Sequence, residues 1–283
     1  MNNKRIKQII SIILFSIIIL PNFIFADSID VVNESSIVCL GEDLTTEQKS
    51  EVLKMFGFKD MEDVEIIEVT NKEERQYLGE YIDSSKIGSR AISSVYVEKL
   101  KEGAGITVDL HNITWVTEEM YKNAVITAGI KDAKIIVASP FDVSGTSGLT
   151  GIIKSFEGIT GEKIGEEVKD LANQEMAVMG DLKDVIGDKK TIELIIKAKR
   201  EILKNDYVLS EDVEQSVQKI IKQLNIELNK EDIQKVVDFL MKLSKTNIDK
   251  ESILKNIKSI KIESNVIRDL LAIIKDFFMN LFS

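Results

Sequence analysis

The sequence predicts an α+β fold in which an N-terminal mixed sheet, containing a hairpin and a parallel strand–helix–strand crossover, precedes an all-helical C-terminal domain. Two apolar segments, residues 106–108 and 133–138, flank a helical pattern, as in a crossover between parallel strands. Beyond about Gly161, strand patterns stop and amphipathic helices rich in Lys and Glu follow. We therefore expect an α/β domain at residues 27–161 and a helical domain at residues 162–283.

The first 26 residues have the pattern of a secretory signal peptide. Lys4 and Arg5 precede an uncharged apolar run at residues 9–20, and Ala26 is a small residue suited to a cleavage site. A retained membrane anchor is the alternative, because the apolar stretch approaches the length that spans a bilayer, but Pro21 and Ala26 favour cleavage. The pattern predicts an extracytoplasmic protein, secreted or associated with the cell envelope.

Composition excludes several classes of site and partner. A net charge of -10 makes nucleic acid and anionic wall polymers poor electrostatic partners. One cysteine excludes an intramolecular disulfide, and one cysteine with one histidine does not supply a zinc site of ordinary composition. The carboxylates do not form the spacing of a calcium-binding loop. We therefore expect no metal and no cofactor.

The first helix and strand have clear local signals. Thr45 and Gln48 have the spacing of a capping box, which predicts a helix that stops at Gly57. The alternating segment VEIIEV at residues 64–69 predicts a strand with a partly wet face. Asn71 with Glu74 three residues later predicts the start of a second helix.

A β-hairpin is predicted in the middle of the α/β domain. Residues 91–100 and 106–108 have strand composition, and the Gly-Ala-Gly turn at 103–105 separates them. The short connection favours antiparallel pairing of the two strands.

The crossover follows this hairpin. Thr117 is the expected N-cap of its helix, Glu118 and Glu119 complement the helix dipole in the first turn, and Gly129 lies just past the end. The next strand, residues 133–138, shows almost no alternation, which predicts that both its faces are covered.

Amphipathic patterns predict helices in the chain that follows this strand. Helices are predicted from near Ser147, from Ser210 and from Asn229, and the last two favour an antiparallel helical hairpin within a bundle. A final helix begins near Ser264 and runs towards Ser283, with a stripe of Ile, Leu and Phe. This stripe either closes the helical core or docks on a membrane surface or a partner groove.

Polar segments follow both predicted parallel strands, where ligands tend to bind in open α/β sheets. The helix starting near Ser147 adds unpaired backbone N–H groups that suit a carboxylate, a phosphate or a polar sugar group. Capping of that helix by Ser144 or Thr146, and packing of Trp115 in a core, are the structural alternatives. The candidate binding residues are Asn112, Thr114, Trp115, Pro140, Ser144, Gly145, Thr146 and Ser147.

Named catalytic patterns fit these residues poorly. The Gly145–Gly148 segment is neither a G-x-S-x-G elbow nor a P-loop. His111, with Asp109 or Asp142 and with Ser144 or Ser147, contains the residue types of a hydrolytic triad but has no diagnostic spacing. We therefore assign no catalytic residue from the sequence.

The same region resembles the secreted YpuA-like family of low-GC Gram-positive bacteria, a domain of unknown function. The resemblance is densest from about Gly103 to Gly161. It rests on NITWVT at 112–117, YKNA at 121–124, TAGIKDA at 127–133, ASPFDVSGT at 138–146 and LTG at 149–151. The resemblance implies an exported, envelope-associated protein and transfers no catalytic residue.

Together these observations predict an exported protein that binds an unidentified envelope protein or wall-related ligand without catalysis. A hydrolase acting on a wall-derived substrate is the alternative. A contact with a membrane surface or a partner through the helix that begins near Ser264 is a further possibility left open by the sequence.

Overall fold

A computed structural model describes residues 35–59, 64–205, 207–258 and 260 of the 283-residue chain. The predicted signal peptide at residues 1–26 and the predicted terminal helix near Ser264 lie outside the described residues. Within the described residues, no helix is both long enough and apolar enough to cross a membrane.

A five-stranded mixed sheet forms the centre of the α/β region, which confirms the predicted fold class. The strand order is β2-β1-β3-β5-β4. The pairs β1–β2 and β4–β5 are parallel, and β3 runs antiparallel to both of its neighbours. The strands are β1 Ser36–Gly41, β2 Ile66–Val69, β3 Ser94–Lys99, β4 Ile106–Ile113 and β5 Ala133–Val143.

The predicted hairpin of β3 with β4 is wrong, because β5 lies between these two strands. From Ala133 to Ser139, β5 is buried at nearly every position, whereas β4 is largely accessible. An almost continuously apolar strand is most stable with neighbours on both sides, and the more polar β4 is suited to the edge of the sheet. The short Gly-containing connection therefore spans the width of one strand.

The described residues also form ten helices. Five lie within or directly after the strands: α1 Thr46–Met55, α2 Asn71–Leu78, α3 Ser84–Ile87, α4 Glu118–Thr127 and α5 Thr146–Thr160. Five more follow: α6 Glu166–Ile186, α7 Asp188–Lys204, α8 Ser210–Gln223, α9 Lys230–Lys245 and α10 Lys250–Asn256.

The capping box predicted for α1 is confirmed, whereas the box of α2 begins one residue earlier than predicted. Thr45 and Gln48 form the predicted capping box of α1. At α2 the box is instead made by Thr70 and Glu73, one residue earlier than predicted. Both pairs have the required spacing, and Thr70 is the residue with the extended backbone that an N-cap adopts. The shift leaves the Glu74 side chain outside the cap.

The predicted crossover is confirmed. Thr117 accepts a hydrogen bond from the N–H of Met120 and caps α4, which connects β4 to the parallel strand β5. Gly129 follows the end of this helix with a φ of 85°. The carboxyl ends of β4 and β5 therefore lie side by side.

Both faces of the sheet are covered. On β3, Val95 and Val97 belong to the large core that includes α4 to α9. Tyr96 points the other way, as the alternation of a strand requires, and contacts Phe56 and Phe58 with ring centroids 6.4 and 5.5 Å apart. The same core extends across Gly161 into the helices, and the predicted domain boundary there stays a prediction.

Candidate functional site

The ends of β4 and β5 converge with the N-terminus of α5 on a cavity of about 490 Å³, here called the strand-end cavity. Five of the eight residues predicted to bind a ligand line it: Thr114, Trp115, Ser144, Thr146 and Ser147. They come from two chain segments that the crossover places together. The remaining wall is formed by α2, α3 and the segment from Gly88 to Ser93.

Three predicted residues, Asn112, Pro140 and Gly145, do not line the cavity. Asn112 has a φ of 57°, and its side-chain amide donates a 2.7 Å hydrogen bond to the Ser139 carbonyl. This bond spans the irregularity in the β4–β5 pairing between His111 and Ile113, opposite the β5 segment that contains Pro140. These residues shape the strand ends and do not present groups to the cavity.

Gly145 gives α5 an open N-terminus. It is the N-cap, has a φ of 97°, and no side chain caps the helix, so the alternative in which Ser144 or Thr146 caps α5 does not hold. A Cβ atom at Gly145 would lie 2.5 Å from Ile113 Cγ2, which excludes the usual capping residues. The N–H of Gly148 is bonded to the Gly145 carbonyl at 3.0 Å. The Thr146 and Ser147 N–H groups, at the start of α5, have no partner within the helix.

The hydroxyl groups at this turn are only partly used. The Ser144 and Thr146 oxygens lie 3.0 Å apart, and whichever hydroxyl accepts this bond keeps its own hydrogen for another acceptor. Thr114 donates to the Val143 carbonyl at 2.9 Å, and Ser147 donates to the Ser93 carbonyl at 3.3 Å. Their oxygen lone pairs remain available, so the turn retains both donors and acceptors.

Trp115 forms an aromatic wall of the cavity. Lys86 Nζ lies 4.7 Å from the ring centroid and Lys183 Nζ lies 5.9 Å from it. Lys183 also donates a hydrogen bond to the Trp115 carbonyl, and Lys86 is paired with Asp184 at 2.9 Å. The two lysines, from α3 and α6, restrict movement of the ring.

Glu74, on α2, is a buried carboxyl group that also lines the cavity. It is 1% exposed, its Oε2 accepts a 3.0 Å hydrogen bond from Asn71, and its Oε1 has no hydrogen-bond partner. Burial raises the pKa of Glu74 to about 7, although the Asn71 and Thr146 side chains and the charge of Arg75 favour its ionised form. Near neutral pH this group is therefore present in both protonation states.

Sequence reasoning missed the part of the cavity that precedes β3. Glu74, Lys86, Arg90 and Ser93 all line it. The sequence predicts Glu74 to be a capping residue, and its burial depends on tertiary packing that no local pattern reveals. The segment that contains Lys86 and Arg90, SSKIGSRAISS, has the polar, Ser- and Gly-rich composition of a functional loop, which was the available signal.

The residues of the hypothetical hydrolytic triad do not share this cavity. Ser144 and Ser147 line it, but His111 is exposed on β4 and is not part of the lining. No hydrogen bond joins His111 to either serine in the described part of the chain. The geometry therefore does not place His111 as a base beside either serine.

Residues 35–59, 64–205, 207–258 and 260 contain no cluster of three or more His, Cys, Asp or Glu side chains that could hold a metal ion. Cys39 is buried, and burial raises the pKa of its thiol to about 12, so the nucleophilic thiolate is scarce at neutral pH.

Comparisons with known proteins identify relatives but no activity. The family described as "Protein of unknown function (DUF1002)" matches residues 40–260. The uncharacterized protein YpuA of Bacillus subtilis (strain 168) is 46% identical over 193 residues, which cover 68% of this chain and 66% of the relative. No solved structure matches.

Proposed function

The chain belongs to the DUF1002 family, and we propose that it is a non-catalytic binding protein that holds a small polar ligand in the strand-end cavity. The observation that carries this proposal is the convergence of two strand ends and the open N-terminus of α5 on one cavity. Ligands of open α/β sheets bind at this place, and the N–H groups at the start of α5 and the hydroxyl groups of the turn supply polar contacts.

The cavity also has the dimensions and lining of a small-ligand site. Its volume of about 490 Å³ suits a molecule of a few to some tens of atoms. The Trp115 ring and the exposed Phe141 ring provide apolar surface beside the polar turn. A mixed lining of this kind orients a polar ligand while removing part of its surface from water.

Export to the cell envelope is part of the same proposal. It is supported by the basic start, the apolar run at residues 9–20 and the small Ala26 in the sequence. We expect the form released from a Gram-positive host to begin at Asp27, as measured by mass spectrometry of its N-terminal peptide. Retention of residues 1–26 in membrane fractions would contradict cleavage.

Ligand binding is testable through Trp115, because it is the chain's one tryptophan and it lines the cavity. We expect at least one of three probes, sulfate, methylammonium and N-acetylglucosamine, to change its emission in a saturable way. Replacement of Thr146 by Val should raise the Kd of that probe roughly tenfold, because one hydrogen-bonding hydroxyl is lost with little change of shape.

Thr107→Val is the matched control, since Thr107 is exposed on β4 and outside the cavity lining. The control should bind like the wild type. Absence of a saturable response to all three probes, or an equal response in the Thr146 variant, would contradict a ligand site at this turn.

A further inference from the structure

We propose that the ligand of the strand-end cavity is a small oxyanion, held by the N-terminus of α5 and by a protonated Glu74 carboxyl that donates a hydrogen bond to it. The inference rests on the proposed function and names the chemistry of its ligand. The binding unit contains the Thr146 and Ser147 N–H groups, the hydroxyl groups of Ser144 and Thr146, and Glu74 Oε1.

The helix terminus supplies the attraction for negative charge. α5 has 15 residues and no side-chain cap, so its first N–H groups and its dipole favour an anion there. Arg90 is exposed and lines the same cavity, where its guanidinium adds a fixed positive charge. Lys86 also lines the cavity but is already paired with Asp184.

Glu74 supplies the second, independent observation. A fully buried carboxyl oxygen without a partner is costly, because the desolvated group recovers no hydrogen bond. In the protonated form this oxygen can carry a hydrogen and donate it to an anionic oxygen in the cavity. In the ionised form it would repel the same anion at short range and attract a cation. The affinity for an anion and the affinity for a cation should therefore change in opposite directions as Glu74 ionises.

The charged and titratable groups around Glu74 do not keep it ionised. On its own helix, Arg75 donates to the Gly88 carbonyl, and Glu74 Oε2 accepts from the neutral Asn71 amide. From α5, the neutral Thr146 hydroxyl also favours the ionised carboxyl, less strongly than burial opposes it. From α4, the buried Tyr121 hydroxyl donates to the Gly145 carbonyl, and burial raises the pKa of this tyrosine, so it stays neutral. The remaining charged groups of the lining are Lys86, Arg90 and Asp142.

Binding should consequently take up a proton above neutral pH. A bound anion disfavours the ionised carboxyl and raises its pKa further above the value of about 7 in the free protein. Affinity is then greatest below this value and falls as the pH rises through it. Between pH 6 and pH 8 the protonated fraction of the free protein falls roughly tenfold, and the affinity should fall by a similar factor.

The experiment is a titration of Trp115 emission with sulfate at pH 6 and pH 8, because sulfate keeps its charge across this range. We expect the wild-type Kd to rise roughly tenfold with pH. The Glu74→Gln variant, whose amide donates a hydrogen bond at either pH, should bind equally at both values. The Glu162→Gln variant removes an exposed carboxylate outside the lining and should keep the wild-type pH dependence.

Other outcomes separate this inference from the proposed function. Sulfate binding that is unchanged between pH 6 and pH 8, or equally pH-dependent in Glu74→Gln, would overturn the role of Glu74 and leave the cavity as a binding site. Binding of N-acetylglucosamine without sulfate, or of methylammonium with affinity that rises with pH, would overturn the oxyanion and retain the proposed function. Failure of all three probes would overturn both.

Discussion

Replacing Lys199 by Met should lower the free energy of unfolding by about 3–5 kcal/mol, measured by urea denaturation at pH 8. Lys199 on α7 and Glu175 on α6 are both fully buried, with their charged groups 2.7 Å apart. Lys199 also donates to Thr127 on α4 at 2.8 Å, and Thr127 donates to Glu175. Removal of the cation therefore leaves a buried carboxylate without its charge partner.

The loss should be smaller at pH 5 than at pH 8. Burial raises the pKa of Glu175, and the charge and hydrogen bonds of Lys199 oppose this shift. Without Lys199 the folded-state pKa rises further above its unfolded value, so stability is kept at low pH and lost as the pH rises towards the folded value. An equal loss at both pH values would contradict this explanation.

Two variants isolate the buried pair. Lys197→Met on the same helix removes a partly exposed partner of Glu193 and should cost less than about 0.5 kcal/mol. Combining Lys199→Met with Glu175→Leu should recover most of the stability, because no buried charge remains and Thr127 can donate to a carbonyl of its own helix. A double variant as unstable as Lys199→Met would show that packing, and not charge, determines the loss.

Replacing Gly180 by Ala should destabilise the protein by about 2 kcal/mol, although alanine is the better helix former. A Cβ atom at Gly180, in the middle of α6, would lie 2.2 Å from Trp115 Cζ2 and 2.5 Å from its Cη2. Lys86 and Lys183 restrict movement of this ring. The overpacking cost should exceed the gain of about 1 kcal/mol from helix propensity.

The same substitution should alter the strand-end cavity, because Trp115 lines it. We expect a shifted Trp115 emission maximum and weaker binding of the responding probe. Gly158→Ala is the control: its Cβ would meet only the terminal Cδ1 of Ile37, at 2.6 Å, and that methyl group can move. A Gly180 variant as stable as the Gly158 variant, with unchanged emission, would contradict the close packing of α6 under the indole ring.

Local patterns predicted most of the elements because their signals lie within a few residues. Capping by Thr45 and Thr117 and the unbroken apolar run of β5 each depend on neighbours in sequence. Strand order, in contrast, depends on contacts between residues that are distant in sequence. The hairpin prediction failed because the burial of β5 on both sides, and not the short connection after Lys99, decides which strand lies beside β3.

The candidate site was predictable only on its strand-end side. Thr114, Trp115, Ser144, Thr146 and Ser147 follow from the crossover rule, which places the ends of adjacent parallel strands together. The opposite wall comes from residues 74–93, which are distant in sequence from the ends of β4 and β5. Its carboxyl group at Glu74 resembles any other helix-capping glutamate until its burial is seen. Because the cap of α2 forms one residue earlier than predicted, the Glu74 side chain is not part of the cap and lines the cavity instead.

Amide-resolved NMR of the 15N-labelled protein tests the strand-end cavity most directly, because it observes the proposed N–H donors themselves. During titration with sulfate, methylammonium and N-acetylglucosamine, we expect one probe to produce saturable shifts that are largest at Thr146, Ser147 and the Trp115 indole. Saturable shifts confined to another surface, such as the cavity beside Lys131 and Asp249, or no saturable shift with any probe, would contradict a ligand site at the N-terminus of α5.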